Sequence, residues 1–174
     1  MMPVAESDFP ARFTMLSSLG FRLVFQVVDA DGQARFQILR RGLRGRRFRL
    51  TGNGADIVIE IRITRGSVWS APDITLSLSD GGGRFGTISL SESPRTGSGS
   101  YSFALKWRGE SWQLATADAG LGKSQWLLTR GAETAGLITA PPFRRRFELH
   151  LKNESGLLPA VCLCLATDRL QKFA

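Results

Sequence analysis

Between Leu157 and Ala166 this chain carries no polar side chain, and the surrounding stretch GLLPAVCLCLATDRL sits almost at its C-terminal end. Ten residues of helix cover about 15 Å, roughly half the hydrocarbon thickness of a bilayer. Such a segment cannot cross a membrane alone. Pro159 is compatible with a helix only near its start, Asn153 or Ser155 can supply a cap, and Asp168, Arg169 and Lys172 mark the return to water. A short helix is therefore predicted over 155–170. It has no polar stripe in its middle, so it needs apolar surroundings on every side rather than an open sheet beneath it. Leaving it wet would cost on the order of 1.5 to 3 kcal/mol per large side chain.

The rest of the chain supplies the surroundings. Period-two alternation dominates everything before residue 152: Ile57, Ile59, Ile61 and Ile63 face one way in DIVIEIRIT, and Glu60, Arg62 and Thr64 the other. The same rule turns Phe21, Leu23, Phe25 and Val27 inward, then Ile74, Leu76 and Leu78, then Phe147, Leu149 and Leu151. Turn signals separate such runs at DADG (29–32), TGNGAD (51–56), SDGGG (79–83), WRGE (107–110) and RGAE (130–133). Consecutive hairpins amount to about twelve strands, a meander that closes into a barrel or folds over as a sandwich. The helix decides between them. The predicted fold is a closed antiparallel β-barrel enclosing its own C-terminal apolar helix, with Leu158, Val161, Leu163 and Leu165 packed against the inward side chains. Segments 93–100 and 117–124 are predicted loops.

A length of 174 residues suits one domain, 1–174, with residues 1–11 expected to be loosely ordered. The N-terminus MMPVAESDFPARF lacks the basic start and apolar run of a secretory signal, so a cytoplasmic location is expected, peripheral to the membrane if a lipid is the partner. Cys162 and Cys164, two apart in an apolar run, point in different directions on a helix and are expected to be reduced and buried.

Two stretches resemble a known family. FQVVDADGQARFQI, Phe25 to Ile38, looks like the recurring strand, Asp-x-x-Gly turn and strand of the tubby C-terminal-like superfamily, which includes the LURP-one-related proteins and the phospholipid scramblases. LPAVCLCLATDRL is similar to the apolar helix that fills their barrel. With the many-hairpin order, the resemblance covers nearly the whole chain. It implies a non-enzymatic module acting at a membrane surface or as an adaptor, with phosphoinositide binding in the tubby branch. The chain departs from the scramblase pattern at HLKNESG, where only Glu154 is acidic, so calcium-dependent lipid scrambling is not implied.

The chain is basic, with 23 Lys and Arg against 15 Asp and Glu for a formal +8. Six arginines fall between Arg40 and Arg49, in RRGLRGRRFRL. If Phe48 and Leu50 point inward, Arg47 and Arg49 point out beside the loop-borne Arg40, Arg41 and Arg44, with Arg46 in the same segment. Arginine forks match phosphate oxygens bidentately, so these residues are candidate anion ligands. A purely protective role, with charges that keep a hairpin edge from aggregating, is the plain alternative. Arg144 and Arg146 form a second cluster, in which Glu148 can neutralise Arg146.

Catalytic patterns are sparse. His150 is the single histidine, placed by alternation on the outer face of the last strand and expected at the surface, and there is no GxSxG, CxxC or HExxH. GGGRFG (81–86) matches GxGxxG, yet a strand-like segment follows it where a dinucleotide site needs a helix. Asp29 and Asp31 are expected to build their turn. Of Trp69, Trp107, Trp112 and Trp126, most are expected in the core, with Trp107 and Trp112 packed together across the 107–110 turn. The expectation is a binding module without catalytic residues or cofactor, whose arginine face meets an anionic lipid headgroup, phosphoinositide or membrane-proximal partner. A nucleic-acid-binding or protein-scaffold role for the same face is the alternative; composition leaves the oligomeric state open.

Overall fold

The computed structural model describes residues 4–64, 73–92, 101–117, 124–140 and 146–173. After a 3-10 turn at Glu6–Asp8 come strands β1 (Ala11–Ser17), β2 (Leu23–Asp29), β3 (Ala34–Arg41), β4 (Arg47–Gly52), β5 (Ala55–Thr64) and β6 (Asp73–Asp80). Then follow β7 (Gly83–Glu92), β8 (Tyr101–Trp107), β9 (Glu110–Ala117), β10 (Ser124–Arg130), β11 (Glu133–Ala140), β12 (Arg146–Leu151) and the helix α1 (Leu157–Phe173). Each strand pairs antiparallel with its chain neighbours, and β1 pairs with β12, so the sheet closes on itself. The predicted barrel with its internal helix is the observed fold.

Alternation does the packing. Ile61, Leu76, Ile88, Leu105 and Trp112 stand opposite one another in successive strands and are all buried. Ile38, Leu50 and Ile57 form a second such row. These side chains belong to one apolar cluster with Leu157, Val161, Leu163 and Leu165 of α1, while Leu158 is only partly buried against it. Every residue from Pro159 to Thr167 is buried, as a helix without a polar face requires. Asn153 accepts a hydrogen bond from the Ser155 backbone N–H at 3.1 Å, starting a 3-10 turn at Glu154–Gly156 that runs into α1. Gly156 brings the backbone against the Trp112 ring. Thr167, the first hydroxyl of the helix, donates to the Leu163 carbonyl at 3.0 Å and so needs no outside partner.

The two ends of the barrel differ. At one end short connections join β2 to β3, β4 to β5, β6 to β7, β8 to β9 and β10 to β11, and α1 enters. The β4–β5 turn has Asn53 and Gly54 both at positive φ, as the tightest hairpins demand. At the other end lie the connections 18–22 and 42–46, and there α1 leaves, with the Arg169 guanidinium 4.7 Å from the Phe48 ring centroid.

Several expectations need correction. Phe21 is not an inward strand residue: β2 begins at Leu23, and Phe21 sits in the preceding connection, 78 % exposed. Asp168 and Arg169 have mostly covered side chains instead of marking a return to water. Trp107 packs edge-on against Phe85 at 5.0 Å between centroids, while Trp112 is buried inside; they do not pair with each other. His150 points outward, as its parity requires, yet it is covered and only 7 % exposed. Near it the N-terminal segment folds back: Glu6 approaches to 3.9 Å, and Phe9 is 2 % exposed without belonging to the central cluster. Residues 5–9 are thus fixed by burial of one aromatic ring, a contact that alternation within strands does not encode. Trp69 and the predicted loop 93–100 lie outside the described residues, as do positions 118–123 of the other predicted loop; its ends, Ala117 and Ser124, belong to β9 and β10.

Candidate anion-binding face

The arginine-rich segment forms the end of the β3–β4 hairpin. Arg41 and Arg47 are direct cross-strand partners and point outward, and Arg44 and Arg46 lie in the connection between them. All four are exposed, and among the described residues none makes an ion pair. They surround a shallow depression with Gly42 and Leu43. A second depression on the outer wall is lined by Arg41, Arg47 and Arg49 together with Asp56, Val58, Asp80 and Gly81.

The other predicted ligands are committed elsewhere. Arg49 grips Asp56 with two hydrogen bonds, Nε to Oδ1 at 2.7 Å and Nη2 to Oδ2 at 2.6 Å. That contact holds the Asp56 carboxyl below its ordinary range. Arg40 is not loop-borne; it is a β3 residue paired with the inward-facing Phe48. Its Nη2 donates to the Leu43 carbonyl at 2.9 Å, its guanidinium lies 5.8 Å from the Phe21 ring centroid, and its backbone N–H donates to the Arg22 carbonyl at 2.7 Å. It is a fastener between two connections rather than a ligand. Arg146 donates to Glu148 at 2.5 Å, the neutralisation expected of it, and Arg144 lies outside the described residues.

Charge is thereby distributed unevenly along the barrel axis. Around the short turns the cations meet carboxylates: Arg35 with Glu154 at 2.8 Å, Arg108 with Asp80 at 2.7 Å, Lys152 with Glu133 at 2.7 Å, and Arg130 with Glu110. At the opposite end, the connections 18–22 and 42–46 contain arginine and no acidic residue. Arg22, exposed in the first of these, belongs to the same basic face. It escaped the sequence reading because it was assigned to a strand; the SSLG segment before it, which interrupts the alternation, marks the connection.

Other candidates resolve into structural roles. Asp29 Oδ1 accepts from the Asp31 and Gln33 backbone N–H groups at 3.0 and 2.9 Å and so builds its turn. GGGRFG spans the β6–β7 turn and enters β7, with Gly82 N–H bonded to Asp80 at 2.8 Å; no helix follows. Burial pushes the Cys162 thiol up to about 12, and burial with Cys162 alongside raises Cys164 as well, which disfavours the nucleophilic thiolate. No group of three potential metal-ligating residues gathers among the described residues. No helix among them is long and apolar enough to cross a membrane, which leaves strand spans untouched. No protein-family model matches the chain, and no curated protein or solved structure matches it either.

Proposed function

We propose that this barrel is a non-enzymatic module that binds anionic phospholipid, a phosphoinositide among the possible headgroups, through the end of its β3–β4 hairpin. The supporting observation is that Arg41, Arg44, Arg46 and Arg47 converge without a counter-charge while the cations at the other end are matched. Like charges held together repel one another, and an anion relieves that repulsion while taking up their donors. The resemblance to the tubby C-terminal-like superfamily supports the same reading; membership remains part of the proposal.

The test is sedimentation with neutral vesicles and with vesicles containing phosphatidylserine or a phosphoinositide, at low and raised salt. Binding is expected only with anionic lipid and falls with salt. Each arginine near an anionic surface contributes about 1 kcal/mol, so Arg41→Gln with Arg47→Gln removes roughly 2 kcal/mol, about thirtyfold in affinity. Asp56→Asn acts in the opposite direction, because it frees the Arg49 fork for an incoming phosphate. No binding at low ionic strength refutes the proposal. Selective binding of an oligonucleotide with a steep salt slope assigns the face to nucleic acid instead.

A further inference from the structure

Three large apolar side chains stand in water beside the basic cluster. Leu19 is 102 % exposed, Leu43 87 % and Phe21 78 %. Leu19 and Phe21 lie in the β1–β2 connection and Leu43 in the β3–β4 connection, at the same end of the barrel. Arg40 ties the two together: one guanidinium packs on Phe21 and bonds the Leu43 carbonyl, and its backbone bonds that of Arg22. The tips are therefore held side by side, flanked by Arg22, Arg41, Arg44, Arg46 and Arg47.

We propose that Leu19, Phe21 and Leu43 insert into the interfacial region of an anionic bilayer while the flanking arginines hold its headgroups. This rests on the lipid-binding reading above and adds to it an apolar anchor, an orientation with the β1–β2 and β3–β4 connections facing the membrane, and a salt-resistant part of the affinity. Apolar tips surrounded by cations match the layering of such a surface, where anionic headgroups lie over hydrocarbon. A second copy of the chain fits poorly. A two-fold contact through this patch would set the arginines of one molecule against those of the other.

The experiment compares the unsubstituted protein, the triple variant Leu19→Ser/Phe21→Ser/Leu43→Ser and the double variant Arg41→Gln/Arg47→Gln on phosphatidylcholine vesicles with and without phosphatidylserine. The three apolar side chains are exposed, so the triple variant is expected to melt as the unsubstituted protein does. Its affinity for anionic vesicles should fall at least tenfold, about 1.4 kcal/mol, and the binding that persists at raised salt should vanish. A separate Leu43→Cys protein labelled with an environment-sensitive dye reports insertion directly, because Cys162 and Cys164 are buried. Its emission should shift to the blue on anionic vesicles.

Unchanged binding by the triple variant, or a dye that stays in water while the protein sediments, overturns insertion. If the double variant still loses affinity in that case, the headgroup reading survives alone. Absence of vesicle binding by the unsubstituted protein refutes both. Self-association that the triple variant abolishes assigns the patch to a second copy and also overturns insertion.

Discussion

Leu163→Asp is expected to leave the chain unable to hold its native state, with loss of the cooperative melt and of near-ultraviolet circular dichroism. Leu163 is fully buried in the cluster that joins the helix to the strands. The substitution removes its apolar contacts and puts a carboxyl group among them without a hydrogen-bonding partner. Together these cost on the order of 5 kcal/mol or more, which reaches the whole stability of many domains of this size. The internal control uses the same chemistry. Leu19→Asp, at a fully exposed position, should change stability by no more than about 0.5 kcal/mol. Thermal melts of the two variants side by side separate the cost of burial from any general effect of an added carboxylate.

Gly52→Ala should be the most damaging single methyl group in the β3–β4–β5 region. Gly52 ends β4 with φ at +136°, and a Cβ there would lie 2.2 Å from the Arg35 carbonyl oxygen and 2.9 Å from the Phe36 Cα. Both obstacles are backbone atoms of the neighbouring strand, so no side chain can swing aside. Overpacking and the disfavoured dihedral each cost about 1 to 3 kcal/mol, so about 3 kcal/mol or more is expected from chemical denaturation. Gly54→Ala isolates the second contribution: φ is +76° there, and nothing lies within 4 Å of the added carbon. Its cost should be about 1 to 2 kcal/mol, clearly below that of Gly52→Ala. Equal losses at both positions would contradict the close approach of β4 to β3.

The barrel was legible because two signals agreed. Strict alternation, as in Ile57, Ile59 and Ile61, identified half-buried strands, and an apolar helix without a polar face required a closed wall around it. Alternation fails at strand ends. Extending it one step too far turned Phe21 inward, whereas Leu19, Gly20 and Phe21 belong to a connection. It also assigns a side without saying whether that side is covered: His150 points outward, and Phe9 and Glu6 come from outside its strand.

Part of the candidate site was visible and part was not. The run of arginines is obvious as composition, but which of them stay free depends on register. The Arg49–Asp56 pair could be read once the turn is placed at Asn53 and Gly54, because the two residues then lie diagonally across the hairpin. The role of Arg40 could not be read that way. It depends on β2 lying beside β3 and on where the 18–22 connection ends, a tertiary arrangement with no local signature.

The internal position of the helix is tested most directly by thiol labelling. Cys162 and Cys164 are buried on α1, away from bulk water, and their raised proton affinities leave little thiolate near neutral pH. In native buffer a bulky maleimide should modify neither thiol, and both should react in denaturant, with the native rate following the frequency of unfolding. Prompt modification of either cysteine in the folded protein would mean that the helix lies outside the barrel.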